Sequence, residues 1–371
     1  MNLAPAAEIL GIVQRVISDG QRDLQRAQIK AGDMVAVSTC DPLGFRHVEL
    51  FEAELRKLTA ADYAIAVSSG TAALHLALMA VGVRLGDEVI VPTLTFAATA
   101  FAVKHCGAIP HFVDVSQRLL GINSFKLRQY LAFMPEEQRT RIKAIVPVHL
   151  LGMPCDIDGV MDIASRYGIA VVEDAAEALG TGLLGVNAQV GLSSRAGIFS
   201  FNCNKIVTTG GGGAIVTQDA SLAHRVRHLA YNAKIPHDWL WEHDEVGWNY
   251  RMPNMCAALG LGQLTRFFDT LYAKRQLTSR YAAAFFDSGV AQLISDNRSN
   301  CWLNAITLMP HYAGARDDVI RTLRDAGYSA RAIFTPLHML AMFADCPRQQ
   351  NLMVAEDLFK RMVCLPSSLG N

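Results

Sequence analysis

The sequence predicts an α/β protein built on a mostly parallel sheet, followed by a smaller C-terminal α+β domain. From Asp62 to Thr217, short β-branched apolar runs alternate with helical patterns, which is typical of βαβ units. The chain has 371 residues, more than one small domain needs, and this length suggests roughly two or three. We therefore expect an N-terminal arm or helix over 1–42, a large α/β domain over 43–260, and a connecting helix with the small domain over 261–371.

Seven segments have the composition of buried strands. The first is Tyr63–Val67, and the others are Glu88–Val91, Ile109–Val113, Ala144–Val148, Ala170–Val172, Ile198–Phe201 and Ala214–Thr217. Helices are predicted at Glu49–Leu58, Thr71–Val81, Phe96–Lys104, Leu264–Phe286 and Arg316–Gly327, with a C-terminal strand within Trp302–Leu308. The charged stretch Asp19–Arg26 is either an exposed helix or a mobile arm. These segments together predict helices on both faces of a seven-stranded sheet.

Composition and charge exclude several classes of protein. Lys+Arg and Asp+Glu balance at 34 each, so the chain lacks the basic surface of a nucleic-acid-binding protein. Mean hydropathy is high at +0.20, yet no apolar run approaches the roughly 20 residues that span a bilayer. Surplus apolar surface predicts a subunit interface, and the absence of a signal-peptide pattern predicts a cytoplasmic protein. The 8 scattered cysteines include no C-x-x-C pair, so we expect no metal site.

The first candidate for chemistry is the segment Ser68-Ser69-Gly70-Thr71-Ala72, between a predicted strand and a predicted helix. Free amides at such a helix start, together with the Thr71 hydroxyl and the helix dipole, form an anion site suited to a phosphate. By itself, however, the segment is more typical of a plain strand-to-helix turn with a Ser/Thr cap. A dinucleotide site is disfavoured because no G-x-G-x-x-G occurs here.

Two further candidates follow predicted strands. Asp174 ends an apolar strand at the edge where open α/β sheets bind ligands, although it could instead cap the next helix. Lys205 also follows a strand and precedes four glycines, Gly210–Gly213, that would let a planar group approach the backbone. Alone, it could be a surface lysine before a glycine turn. Combined with a phosphate site, Asp174 and Lys205 are what pyridoxal phosphate requires. The acid protonates the ring nitrogen of the cofactor, and the amine bonds its aldehyde.

Six ordered motifs carry a family resemblance that covers residues 43–369. They are SSGTAAL at 68–74, GDEVIVP at 86–92, TFAAT at 95–99, VEDAAEALG at 172–180, SFNCNK at 200–205 and GWNYRMPN at 247–254. The sequence resembles the DegT/DnrJ/EryC1/StrS sugar aminotransferases, which are fold-type I enzymes dependent on pyridoxal 5′-phosphate. The resemblance implies a nucleotide-sugar aminotransferase, a cytoplasmic homodimer with shared active sites.

The resemblance also implies a role for individual residues. Lys205 would be the Schiff-base lysine and general acid/base, Asp174 the ring-nitrogen partner, and Phe96 the aromatic that stacks on the ring. Four residues would bind the cofactor phosphate: Gly70, Thr71, Ala72 and Ser200. Asn249 would reach the phosphate in the neighbouring subunit, and His338 and, less directly, Arg331 would contact the sugar nucleotide. Judged without the family, Phe96 would be core, Asn249 a turn residue and His338 a structural histidine.

Glu177 departs from the common pattern. Many relatives carry Gln or His at this position, where the side chain hydrogen-bonds the phenolic oxygen of the cofactor. A carboxylate would repel a phenolate, so either the pKa of Glu177 is raised or its role differs.

Further motifs resemble the LegC/PglE-like branch, namely VPVHLLGMPCDID at 146–158, NKIVTTGGGG at 204–213, AKIPH at 233–237 and CLPSS at 364–368. That branch transfers an amino group from L-glutamate to C4 of nucleotide-linked 4-keto-6-deoxy-N-acetylhexosamines, on routes to bacillosamine and legionaminic acid. Another nucleotide ketosugar, such as GDP-4-keto-6-deoxymannose, is the alternative substrate.

Three alternative functions are disfavoured. Sugar dehydration is disfavoured because the relatives that dehydrate sugars carry His in place of Lys205. A non-catalytic binding protein on the same scaffold would be expected to lack Lys205, Asp174 or Asn249. A dehydrogenase of another α/β fold is disfavoured by the missing glycine fingerprint.

Overall fold

The central sheet has seven strands in the order β1-β7-β6-β5-β4-β2-β3. The structure is a computed structural model that describes residues 4–24, 46–182 and 189–368. The strands are β1 Tyr63–Val67, β2 Glu88–Pro92, β3 Ile109–Val113, β4 Ile142–Ile145, β5 Ala170–Asp174, β6 Ala196–Ser200 and β7 Gly213–Thr217. Six of them run in one direction, and β7 runs against both of its neighbours. The prediction of a mostly parallel seven-stranded sheet is confirmed.

Nearly every position of these strands is buried, because helices cover both faces of the sheet. The helices are α1 Ala4–Leu24, α2 Arg46–Thr59, α3 Gly70–Ala80, α4 Ala98–His105, α5 Ser124–Phe133, α6 Glu136–Arg139, α7 Ile157–Tyr167, α8 Ala220–Ala230, α9 Asn254–Leu264, α10 Phe267–Phe285, α11 Arg316–Asp325 and α12 Met353–Arg361. Helix α3 is the most enclosed, since eight of its eleven residues are buried. It directly follows β1, so its N-terminus is fixed at the carboxyl edge of the sheet.

Several predicted segments differ from the structure in their bounds. Strand β4 begins at Ile142, two residues before the predicted start, and ends at Ile145, three residues before the predicted end, because Pro147 has no N–H to continue the ladder. The predicted long helix Leu264–Phe286 corresponds to α10, which begins three residues later, at Phe267, because Thr265 and Arg266 separate it from α9. The two helices have different neighbours: α9 packs on α2, whereas α10 packs beneath the small C-terminal sheet.

The C-terminal sheet has four antiparallel strands in the order β10-β11-β13-β12, and a separate two-stranded hairpin contains β8 and β9. Their bounds are β8 Lys234–Ile235, β9 Glu242–His243, β10 Ala291–Ile294, β11 Ala305–Leu308, β12 Arg331–Ala332 and β13 Met362–Cys364. The apolar side of α1, which includes Ile9, Ile12 and Val13, shares a core cluster with residues of α10, α11 and this sheet. The charged stretch of the N-terminal prediction is helical up to Leu24, and residues 25–45 lie outside the described residues. The predicted domain boundaries stay a prediction.

Within the described residues, no helix combines the length and the apolarity needed to cross a membrane.

Candidate active site

A cavity of about 290 Å³ opens where the carboxyl ends of β1, β5 and β6 meet. These strands point in the same direction, so the residues that follow them converge at one edge of the sheet. Eight residues predicted from the sequence line the cavity: Gly70, Thr71, Phe96, Asp174, Glu177, Ser200, Lys205 and Arg331. The structure therefore brings together residues that lie as much as 261 positions apart in the chain, from Gly70 to Arg331.

The N-terminus of α3 forms one wall of the cavity. Ser69 caps this helix, because its Oγ accepts a hydrogen bond of 3.0 Å from the N–H of Ala72. The N–H groups of Gly70 and Thr71 have no hydrogen-bond partner among the described residues. Two amides therefore remain for an anion at the positive end of the helix dipole. The amide of Ala72, predicted to bind phosphate, is occupied by the cap, and Ala72 is absent from the cavity lining.

Asp174 lies at the floor of the cavity and is only 5% exposed. Its Oδ2 accepts a hydrogen bond of 2.8 Å from the Thr99 hydroxyl, and its Oδ1 accepts one of 3.2 Å from the N–H of Ala176. Burial raises the pKa of Asp174, and these two hydrogen bonds oppose the shift. No cation among the described residues lies within 4 Å of the carboxylate. Residues 175–182 form turns and no helix, so the helix-cap interpretation of Asp174 is wrong.

Lys205 enters the cavity from the loop after β6, and its side chain is 13% exposed. The Nζ atom lies 3.4 Å from Glu177 Oε1 and 3.7 Å from the centre of the Trp302 ring. The amine is thus enclosed by an acid on one side and an aromatic face on the other. The alternative of a plain surface lysine is wrong.

Glu177 is also buried, and its Oε2 accepts a hydrogen bond of 2.8 Å from the N–H of Leu151. Burial raises the pKa of Glu177, while the positive charge of Lys205 opposes this effect. A raised pKa is one of the two alternatives that the sequence left open for Glu177, and the role of this residue toward the cofactor stays a prediction.

Phe96 lies at the mouth of the cavity and is 56% exposed, so it is not part of the core. Its ring packs against Phe334 with 5.5 Å between ring centres. An exposed aromatic ring beside an apolar wall is suited to stacking on a planar ligand.

The glycine run has a more specific role than the sequence predicted. Gly211 and Gly212 line the cavity, as expected for a close approach to a ligand. At Gly213, however, a Cβ atom would lie 2.5 Å from the backbone carbon of Ser69. This glycine therefore allows β7 to pass directly beneath the N-terminus of α3.

Besides Ala72, two predicted site residues do not line the cavity of this chain. Asn249 is exposed and pairs through its backbone with Tyr231. His338 is hydrogen-bonded at both ring nitrogens, since Nδ1 lies 2.7 Å from Thr93 Oγ1 and Nε2 lies 3.3 Å from Glu356 Oε1. These contacts agree with a structural histidine, and the predicted substrate contact of His338 stays a prediction.

Trp302 and Thr99 are cavity residues to which sequence reasoning gave no role. Thr99 belongs to the motif TFAAT, so its motif was an available signal. Trp302 belongs to no recognised motif and lies in a predicted strand, Trp302–Leu308, that actually begins at Ala305. The structure places Trp302 before the strand, where its Nε1 donates a hydrogen bond of 2.7 Å to the carbonyl of Asn204.

These features fit pyridoxal phosphate. Among the described residues, two amides of α3 have no hydrogen-bond partner and the Asp174 carboxylate has no cation within 4 Å, and both line the same cavity as the Lys205 amine. A phosphate, a protonated ring nitrogen and an aldehyde would satisfy these three groups in turn. The fold and the cavity thus define the class of fold-type I pyridoxal-phosphate enzymes.

Comparison with known proteins identifies the family. The model of the DegT/DnrJ/EryC1/StrS aminotransferase family matches residues 37–370, and the chain belongs to this family. Its curated relatives include a GDP-perosamine synthase of Escherichia coli O157:H7, 36% identical over 330 residues that cover 88% of this chain and 86% of the relative. Another is the Bacillus subtilis (strain 168) protein EpsN, described as a putative pyridoxal phosphate-dependent aminotransferase, 35% identical over 86% of this chain and 82% of the relative.

Among solved structures, a DegT DnrJ EryC1 StrS aminotransferase from Brucella abortus superimposes with a TM-score of 0.80 at 28% identity. The match covers 98% of this chain and 92% of that chain. The protein is therefore a sugar aminotransferase that uses pyridoxal 5′-phosphate, and the predictions of fold type, enzyme class and cofactor are confirmed. The alternatives of a dehydrogenase and of a non-catalytic binding protein are wrong.

Proposed function

We propose that the enzyme transfers an amino group from L-glutamate to C4 of a nucleotide-linked 4-keto-6-deoxy-N-acetylhexosamine. The observation that carries the transfer chemistry is the enclosure of Lys205 and Asp174 in one cavity, beside two free amides of α3. The motifs that resemble the LegC/PglE-like branch support the choice of sugar.

Pyridoxal phosphate, when bound, supplies an electron sink that stabilises negative charge beside the reacting nitrogen. Around it, we assign Gly70, Thr71 and Ser200 to its phosphate, Asp174 to its ring nitrogen and Phe96 to its ring face. Lys205 would hold the cofactor through its amine and would carry the proton between the two reacting carbons. Because this amine sits on one side of the cavity, it sets the face to which the proton is delivered. The exposed guanidinium of Arg331 lies at the cavity lining, where it can meet an anionic group of the substrate.

A GDP-linked 4-keto-6-deoxymannose is the second candidate substrate. Three relatives that are 31–36% identical are named GDP-perosamine synthases, and each match covers 88% of this chain. A relative of 34% identity is instead named as an aminotransferase of a UDP-N-acetyl sugar. The two candidates differ in both the nucleotide and the substituent at C2, so one experiment separates them.

In the experiment, purified enzyme is incubated with L-glutamate and with each ketosugar in turn. Formation of 2-oxoglutarate and of the amino sugar is measured by mass spectrometry. We expect turnover with the UDP-linked N-acetyl sugar. Turnover with the GDP-linked sugar alone would replace the first candidate by the second. Lys205→Ala is the control, and it should abolish turnover together with the borohydride-dependent attachment of the cofactor to the protein. Full activity of Lys205→Ala would refute its assigned role.

We also propose a cytoplasmic homodimer in which Asn249 completes the active site of the partner. Support comes from the large apolar side chains exposed on the hairpin and the following loop. Trp239, Trp241 and Val246 are 75%, 80% and 79% exposed, and they lie close in sequence to Asn249. Burying them against a second copy would remove this apolar surface from water.

A mixing experiment tests the shared site. Lys205→Ala and Asn249→Ala each impair every site of their own dimers, whereas a mixed dimer contains one site with both residues intact. Subunit exchange should therefore restore about a quarter of the wild-type activity. No recovery in a mixture shown by native mass spectrometry to contain mixed dimers would contradict the proposal.

A further inference from the structure

Asn300 connects the two groups that enclose the Lys205 amine. Its Nδ2 donates hydrogen bonds of 2.9 Å to the carbonyls of both Glu177 and Leu179. Its Oδ1 accepts a hydrogen bond of 2.9 Å from the N–H of Trp302. The side chain of Asn300 therefore holds the backbone of both Glu177 and Trp302, the two residues whose side chains face the Lys205 amine.

A second route leads from Asn300 to the carboxylate of Glu177. The N–H of Asn300 donates a hydrogen bond of 3.1 Å to Thr181 Oγ1, which in turn donates one of 2.7 Å to the carbonyl of Gly152. Gly152 follows Leu151, whose N–H holds the Glu177 carboxylate. The network thus fixes the acid both at its backbone and at its carboxyl group.

The surroundings indicate that this arrangement is rigid. Asn300 is 1% exposed, and both polar atoms of its side chain are hydrogen-bonded. Two non-glycine residues of the network have left-handed backbone conformations, with φ of +56° at Leu151 and +56° at Cys301. Such strained residues persist only where their surroundings hold them in place, and they cluster at functional sites.

We propose that Asn300 is a positioning residue of the transamination, which sets the orientation of Glu177 and Trp302 around the amine of Lys205. The proposal rests on the proposed role of Lys205 in catalysis. Asn300 itself is absent from the cavity lining, so it acts through the two residues that it holds.

Asn300→Asp tests the proposal with a nearly isosteric change. The new carboxylate would place an oxygen where the amide now donates to two carbonyl oxygens, so it would repel the backbone of Glu177 and Leu179. Asn304→Asp is the matched control, because Asn304 is 2% exposed on the same segment. Its side chain bonds Thr278 and Ser367, neither of which lines the cavity.

The first readout uses protein free of cofactor. Acetic anhydride modifies exposed amines, and peptide mass spectrometry measures the rate at Lys205 relative to other lysines. We expect Asn300→Asp to change this relative rate at least about threefold, and Asn304→Asp to leave it within the error of wild type. In the loaded enzyme, Asn300→Asp should lower kcat about 10–100-fold, the cost of a misplaced catalytic group, with a smaller change in KM.

Equal losses of kcat in the two variants, or an unchanged relative acetylation rate in Asn300→Asp, would overturn the proposal. If Asn300→Asp does not fold, Asn300→Ala replaces it, since this change removes the side-chain hydrogen bonds to Glu177, Leu179 and Trp302 without adding a charge. An unchanged acetylation rate in Asn300→Ala would then overturn the proposal. The acetylation result does not depend on any sugar substrate, so failure of the proposed function would be seen separately, as absence of turnover in the wild type.

Discussion

His75 makes the stability of the fold depend on pH. This residue lies on α3, at most two turns of helix from the proposed phosphate site, and is 2% exposed. Neither ring nitrogen has a hydrogen-bond partner among the described residues. The ring packs edge-to-face against Trp248 and Tyr250, with ring centres 5.0 Å and 5.9 Å away. These two residues flank Asn249. His75 therefore supports both α3 and the segment that is proposed to reach the partner subunit.

Burial is the main reason why the pKa of His75 falls from 6.5 to about 4, and the neighbouring imidazole of His105 lowers it further. Because the pKa is lower in the folded state, the unfolded chain binds the proton first as the pH falls. The contribution of His75 is therefore fully present above about pH 6.5 and is lost progressively as the pH falls toward about 4. At about 1.4 kcal/mol per pKa unit, lowering the pH from 7 to 5 should cost about 2 kcal/mol of unfolding free energy.

Urea unfolding of the cofactor-free protein at a series of pH values measures this cost. His75→Phe keeps an aromatic ring in the same position and removes the titrating group. Between pH 7 and pH 5, its unfolding free energy should therefore fall by about 2 kcal/mol less than that of the wild type. His105→Phe is the control, because His105 is exposed and burial is the larger cause of the shift at His75. Parallel pH profiles for wild type and His75→Phe would refute the reasoning.

Two further predictions concern residues that support β1 and the N-terminus of α3 beside the site. Gly213→Ala should weaken cofactor binding at least about tenfold by fluorescence titration, because its Cβ would meet the backbone of Ser69. Gly262→Ala has no atom within 4 Å of the new Cβ and lies outside the cavity lining, so it should bind the cofactor normally, and equal losses in both variants would contradict the steric argument. Glu52→Gln should destabilise the protein by about 2 kcal/mol in urea unfolding, since this buried carboxylate accepts hydrogen bonds from the N–H of Ala66 and from the partly exposed guanidinium of Arg227. Its counterpart Glu54→Gln removes only an exposed ion pair and should cost less than about 1 kcal/mol, so similar losses would contradict the role of burial.

The sheet could be predicted from the sequence because its strands are buried on both faces and therefore appear as continuous apolar runs. The same topology made Asp174 and Lys205 predictable, since each follows such a run and all carboxyl ends of parallel strands share one edge. The bounds of helices and strands were harder to predict from the sequence where tertiary packing decides the local structure. The long helix predicted from Leu264 begins only at Phe267, and no proline or glycine lies between these two residues, so nothing local marked the boundary.

Trp302 and Asn300 show a second limit of the sequence. Both lie in the C-terminal part of the chain, and they meet Lys205 and Glu177 only because that part folds back over the carboxyl edge of the large sheet. Neither residue type is specific to the chemistry, since a tryptophan before a strand is usually core and a buried asparagine usually satisfies local backbone. A motif can identify a residue that bonds to the cofactor, because the chemistry restricts the residue type. The residues that orient it are restricted only by shape and hydrogen bonding, so they become visible when the distances to the amine are known.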